Sequence, residues 1–283
     1  MMAGITGIDH VLVGVRDLAA ARRAYQHLGF TASPRGRHIG GGTANYCVMF
    51  PGGYIELLGI VDAEQFTNNL DRFLETREGL LGIAFASDDA EAAARELADR
   101  GIATDAPKDL SRKLELPEGE AEPAFRLVHL PGAATPGTPA FICQHLSREL
   151  VWQSPWLDHG NGARALASVT GVVEDPGAVA LAYGRLFGAD AVWADRGQVT
   201  VETGRGRLRF TTAEGLSALY PGLPEAPAHP APWLAGLRLA VADVNATAGY
   251  LDAAGVRYLR DGDTLLRLPA ELACGVAIEF AVG

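Results

Sequence analysis

Apolar residues along this chain fall into short runs of period two. Each run is followed by an Asp, a stretch with apolar positions three and four apart, and a Gly, and the whole pattern recurs four times. The copies open as IDHVLVGVRDL at Ile8, LGIAFASDDA at Leu81, LASVTGVVEDP at Leu166 and GLRLAVADV at Gly236. Aligned on Asp17, Asp89, Asp175 and Asp243, the closing glycines are Gly29, Gly101, Gly188 and Gly255, 12 residues on in three copies and 13 in the other. Alternation with β-branched content predicts a strand. An Asp at the cap position, Leu18, Ala21, Tyr25 and Leu28 at helical spacing, and a terminal Gly predict the helix after it.

After Gly29 the segments FTASPRGRHIGG, TANYCVMFPGG and YIELLGIV, divided by Gly and Pro, predict three antiparallel strands. One unit is thus βαβββ. The second copy follows with a helix from Asp89 to Arg100, strands near Ile102–Thr104, Pro123–Leu130 and Ala140–His145, and a long loop over Lys108–Glu122. DAEQFTNNLDRFLETREG, with Phe66, Leu70, Phe73 and Leu74, predicts a connecting helix after the first copy. YPGLPEAPAHPAPW predicts a stiff, exposed connection between the third and fourth. A βαβββ unit has one bare sheet face, and a second copy covers it. The expected fold is α+β, four βαβββ modules paired into two half-barrel domains, residues 1–148 and 164–283, joined by a linker at 149–163.

Composition narrows the class without naming the chemistry. Hydrophobic residues make up 48% of the 283 and charged ones 20%, a globular balance. A net charge of -10 opposes a phosphate-tracking surface, so no nucleic-acid partner is expected. Cys47, Cys143 and Cys274 are three in number, far apart and in apolar settings, which reads as core thiols in a reducing compartment. The start lacks the n- and h-regions of a signal peptide, and no run of about 20 apolar residues occurs. The expectation is a soluble, cytoplasmic protein with no membrane partner.

The chemistry is kept in one copy. His10 of the first is matched by Gly82, Ser168 and Gly236 in the others, and Glu56 lies on the last strand of the same unit. A buried carboxylate costs several kcal/mol unless it is paired or bound to a cation. The bland alternative makes His10 a core histidine with a backbone partner and gives Glu56 an Arg.

The runs Ile8-Asp9-His10-Val11-Leu12, Gly36-Arg37-His38 with Gly42-Thr43-Ala44-Asn45, and Tyr54-Ile55-Glu56-Leu57 resemble the vicinal oxygen chelate superfamily, the glyoxalase, bleomycin-resistance and extradiol dioxygenase group. Within it they look like the glyoxalase-like domain branch. The resemblance implies vicinal-oxygen-chelate-type half-barrels around a divalent metal, with His10 and Glu56 as ligands from module one. Module two departs from the pattern, since Gly82 stands where the opening His should be and FICQH has no Glu. Strand alternation lets either Gln144 or His145 face inward. His145 is favoured as the third ligand, with Gln144 as a weaker ligand or a substrate donor, and His159, in a DHGNG context that reads as an exposed loop, as a further candidate for ligand or general base.

His38, Thr43 and Asn45 are polar groups that could line the cup, and His38 or Tyr54 could move a proton. Trp152 and Trp156 either lid the cup or join the domains. Arg209 and Glu279 at the closing positions of the C-terminal pair predict an ion pair in place of a metal.

The implied function is a metal-dependent enzyme, an isomerase, lyase or ring-cleaving dioxygenase, acting on a small molecule with adjacent oxygens. Its divalent ion would be Fe, Mn, Zn or Ni. The alternative is a binding protein that sequesters a small molecule in the same cup. A homodimer stays open, because modules can pair within or between chains.

Overall fold

A computed structural model of the chain describes residues 4–221 and 230–283. Module one contributes β1 (Gly7–Gly14), α1 (Leu18–His27), β2 (Gly36–His38), β3 (Thr43–Phe50) and β4 (Gly53–Ile60). A short α2 (Leu70–Thr76) leads to module two: β5 (Gly79–Ala86), α3 (Ala90–Asp99), β6 (Lys108–Leu116), β7 (Gly119–Ala121), β8 (Ala124–His129) and β9 (Ala140–His145). After α4 (Arg148–Val151), module three runs through β10 (Ala163–Val172), α5 (Pro176–Phe187), β11 (Val192–Asp195), β12 (Gln198–Glu202) and β13 (Arg207–Thr211). Following α6 (Ala213–Leu219), module four comprises β14 (Trp233–Val241), α7 (Val244–Ala253), β15 (Leu259–Asp261), β16 (Leu265–Leu268) and β17 (Ala277–Val282). Most of the expected proline-rich connection lies at 222–229, outside the described residues.

The repeated Asp is a helix cap each time. Asp17, Asp89, Asp175 and Asp243 accept hydrogen bonds from the backbone N–H groups of Ala20, Ala92, Gly177 and Asn245, donors that the helix itself cannot satisfy. The repeated Gly reverses the chain after the helix, with φ of 91°, 73°, 100° and 67° at Gly29, Gly101, Gly188 and Gly255.

The modules pair through their opening strands. β1 runs antiparallel to β5 and parallel to β4, and β5 runs parallel to β9. The first sheet has the order β2-β3-β4-β1-β5-β9-β8-β6-β7, and β2 also pairs with β6, so eight strands close into a barrel with β7 outside it. The second sheet repeats the plan as β11-β12-β13-β10-β14-β17-β16-β15.

Closure depends on β6, which corrects the loop expected at Lys108–Glu122. The charges of KDLSRKLEL hide a strand whose buried positions are Arg112 and Leu114. No strand forms at Ile102–Thr104. The connecting helix is also shorter than expected. It begins at Leu70, after Asn68 and Asn69 at φ 53° and 62°, a left-handed pair that the turn chemistry of Asn permits.

Residues alternating with the barrel interior, such as Val11, Val13, Ile55, Ile83 and Phe85, enter one apolar core with Leu208, Leu237, Ile278 and Phe280 of the second sheet. Phe85 packs edge-on to Phe187 at 5.3 Å, and Phe30 stacks on Phe280 at 6.1 Å. Ile8 N–H donates to Arg205 O at 2.8 Å across the same junction. Among the described residues no helix is long and apolar enough to cross a membrane.

Candidate functional site

The barrel interior is built around a bulge in β1. Ile8 pairs with Phe85 and His10 with Ala84, so Asp9 is an extra residue on β1. Plain alternation would send Asp9 to the opposite face from His10. Instead its Oδ2 lies 2.7 Å from His10 Nδ1 and 2.9 Å from His145 Nε2, with all three side chains at least 95% buried. On its other side His10 faces β4, where Nε2 is 3.5 Å from Glu56 Oε2. The His10 ring stacks on Tyr54 with centroids 4.4 Å apart and meets the Phe141 edge at 5.6 Å.

A second chain of contacts fixes Glu56. Arg112 Nη1 donates to Asn45 Oδ1 at 2.7 Å, and Asn45 Nδ2 donates in turn to Glu56 Oε1. Arg112 also reaches Cys47 Sγ at 3.4 Å. His38 Nδ1 is hydrogen-bonded to Thr43 Oγ1 at 2.8 Å, and its Nε2 is 3.9 Å from Glu56 Oε1. Trp152 closes one end, donating from Nε1 to Phe50 O at 2.8 Å and packing edge-on to His145 at 4.7 Å and Tyr54 at 5.7 Å.

The electrostatics follow from burial and pairing. Burial pushes the Asp9 carboxyl up, but its bonds to His10 and His145 reverse this and hold it well below the usual range. Burial likewise raises Glu56, yet the charges of His10, His38 and Arg112 and the Asn45 amide bring it below its ordinary value. Burial drives the Tyr54 phenol and the Cys143 thiol far up, so both keep their protons at neutral pH. His38 is pushed down, mainly by burial.

Not all expected groups converge. Among the described residues, the ligand atoms that gather within 4.8 Å of one another are those of Asp9, His10 and Cys143. His145 joins them through Asp9, while Glu56 approaches His10 from the other side. His145 Nδ1 is buried with no hydrogen-bond partner among the described residues. Gln144 alternates to the outer face, where it accepts from Ala90 N–H at 3.0 Å and donates to Asp88 O at 2.9 Å at the start of α3. His159 is buried beside Phe30 and Phe50, not exposed as its DHGNG context suggests. Its Nδ1 accepts from Thr31 N–H at 3.0 Å and its Nε2 donates to Met49 O at 2.9 Å, which commits both nitrogens to backbone.

The sequence reading passed over Asp9, Cys143 and Arg112 as site residues. An Asp inside an apolar strand was a signal for the first, because Asp is depleted from strands. In the second sheet Arg209 does meet Glu279, at 3.8 Å, but Arg238 at 2.8 Å and Arg267 at 3.1 Å are closer.

A divalent cation fits between His10 and Glu56. Asp9 engages one nitrogen of each histidine, which leaves His10 Nε2 toward Glu56 and His145 Nδ1 without a partner. A metal-bound imidazole characteristically gives its other N–H to a carboxylate, as His10 can to Asp9. The 3.5 Å between His10 Nε2 and Glu56 Oε2 is a separation that an ion about 2.0–2.2 Å from each would span.

A family model described as the glyoxalase-like domain matches residues 8–187. No curated protein matches the chain. Among solved structures, a hypothetical protein from Staphylococcus aureus superposes with a TM-score of 0.70 at 12% identity, covering 98% of this chain and 99% of that one. A mutant of 4-hydroxymandelate synthase from Streptomyces coelicolor gives 0.57 at 13% identity, covering 100% of this chain and 94% of that one. A xylose isomerase-like TIM barrel/4-hydroxyphenylpyruvate dioxygenase fusion protein gives 0.59 at 14% identity, with 99% of this chain aligned to 49% of that one. At these identities the structural likeness establishes the fold.

Proposed function

The chain belongs to the glyoxalase-like domain family of the vicinal oxygen chelate superfamily, and we propose that it is a metal-dependent enzyme acting on a small molecule with adjacent oxygens. One observation carries the reading. His10 has an acidic oxygen at each ring nitrogen, Asp9 Oδ2 at 2.7 Å and Glu56 Oε2 at 3.5 Å. A neutral imidazole has one N–H, so meeting a carboxylate at both nitrogens takes either a second ring proton or a cation at Nε2, and the elemental analysis below separates the two. His10 and Glu56 would hold that ion, while His145 lies behind Asp9 on the other side of the His10 ring. A divalent ion so bound supplies Lewis acidity to two substrate oxygens and to an enolate or similar oxyanion, electrostatics that isomerases, lyases and dioxygenases share.

The chain's own residues do the positioning. Asp9 sets the orientation of both imidazoles, and the Arg112–Asn45 relay fixes the Glu56 carboxylate. Tyr54, protonated and stacked on His10, restrains that ring and serves as a donor, not a base. His38 is the most exposed of the polar interior groups named here, with 19% of its side chain accessible. Placed between Thr43 and Glu56, it is suited to carry a proton between the interior and solvent. Trp152 keeps bulk water from the His145 end.

The test is elemental analysis of the purified protein and of His10→Ala and Glu56→Ala. About one divalent ion per chain is expected in the wild type and at least a tenfold loss in both variants, with circular dichroism unchanged. Wild-type protein that holds no divalent ion even after incubation with Fe, Mn, Zn or Ni would overturn the proposal.

A further inference from the structure

The face of the second sheet turned away from the shared core gathers three guanidiniums around one carboxylate. Leu208, Phe210, Leu237, Leu239, Leu266 and Leu268 all enter the shared core, so alternation turns Arg209, Arg238 and Arg267 to the other face. There Glu279, 0% exposed, accepts from Arg238 Nε at 2.9 Å and from Arg267 Nε at 3.1 Å. Arg209 Nη1 stands 3.8 Å away, beyond hydrogen bonding. The other acidic partner, Asp261, binds Arg267 at 2.9 Å but is 58% exposed, so solvent screens much of its charge. Each guanidinium offers five N–H donors, whereas a carboxylate accepts about four bonds, so donors outnumber acceptors here. Burial and the neighbouring Arg238 also pull the Arg209 pKa down, as positive charge in excess would.

A second observation points to a ligand. Ser168 occupies in β10 the place that His10 has in β1, and pairs across the sheet with Arg238. It is only 4% exposed, and its Oγ has no hydrogen-bond partner among the described residues. The next residue on that face, Thr170, is by contrast bonded to the Tyr220 hydroxyl at 2.9 Å. The site is reachable, since 34% of the Arg238 side chain and 19% of that of Arg209 stay accessible.

We propose that this face is a second ligand site, which takes the carboxylate or phosphate group of a small molecule on Arg209 and Arg238 with the Ser168 hydroxyl as a further donor. Planar guanidinium forks hold such groups bidentately, and a bound anion offsets the charge excess around Glu279. The C-terminal half is then a binding module that has exchanged a cation site for an anion site.

Calorimetric titration of the full chain with inorganic phosphate and, separately, with malonate tests this at low ionic strength. Saturable binding of one anion per chain is expected, and which of the two binds tells a phosphate ligand from a carboxylate one. Arg209→Gln should weaken binding about tenfold, the loss of one charge-assisted contact, and Ser168→Ala about fivefold. His10→Ala should bind as the wild type does, which separates this site from the barrel interior, so the two proposals can fail independently. Absence of saturation by both anions, wild-type binding in Arg209→Gln or Ser168→Ala, or loss of binding in His10→Ala would each overturn the proposal. Should Arg209→Gln not fold, the Ser168→Ala titration decides by the same criteria.

Discussion

Asp9 is the residue on which the first site turns, because one buried oxygen faces two imidazoles, at 2.7 and 2.9 Å. Carboxylates behind metal-bound histidines contribute about 10–100-fold to metal affinity, so Asp9→Asn should weaken divalent-ion binding by that factor, measured by competition with a chromogenic chelator. His10 and Glu56 were legible in the sequence because a charged or basic group in an apolar strand demands an explanation. Asp9 gave the same signal, but its place beside His10 was not legible, because period-two alternation puts it on the opposite face and only the bulge reverses this. Arg112 was hidden by the charges around it. His159 tests a different role, that of a brace between the linker and the barrel. Removing it leaves Thr31 N–H and Met49 O unsatisfied, so His159→Gln should cost about 1–3 kcal/mol in urea denaturation at pH 7.5. Burial holds its pKa below the ordinary value. The unfolded chain therefore takes up the proton first, and the His159 contribution, complete above about pH 6.5, is lost as pH falls toward the folded value. The gap between wild type and His159→Gln should accordingly narrow at pH 5.5, and an equal gap at both pH values would contradict the bracing role.

At the scale of elements, the fourfold pattern was readable because each copy needs the same cap and the same stop. Asp243→Ala should destabilise by about 1 kcal/mol, read as a shift in the urea midpoint, since Asn245 N–H loses its acceptor at the start of α7. The β1–β4 pairing is more demanding. A Cβ on Gly53 would lie 2.5 Å from Asp9 O and 3.3 Å from Ile8 O, backbone atoms that cannot turn aside. Gly53→Ala should therefore push β4 from β1, cost about 1–3 kcal/mol in the same assay and weaken metal binding along with stability. A fully stable variant with wild-type metal content would show that this approach does not set the Glu56 to His10 spacing. β6 escaped the sequence reading because an interior Arg breaks its apolar alternation, and with β6 went the closure of the barrel.

For the molecule as a whole, four modules were legible but their burial against one another was not, because periodicity tells which face of a strand is apolar and not what covers it. The outward faces of both sheets enter one core, where Phe85 of β5 meets Phe187 of α5 and Phe280 of β17 meets Phe30 after α1. A fragment of residues 1–148 should thus expose much of that surface, bind a hydrophobic dye and lose its near-ultraviolet circular dichroism, while the full chain melts in one transition. An ordered fragment with a cooperative melt would show that the first barrel stands alone. The cation proposed in the barrel and the anion proposed on the second sheet give the two halves opposite electrostatic tasks on one scaffold. The most direct test of the first is anomalous diffraction from crystals grown with Mn²⁺. The account predicts a strong peak between His10 Nε2 and Glu56 Oε2, absent in Glu56→Ala, and a barrel interior with no anomalous peak in saturating Mn²⁺ would contradict it.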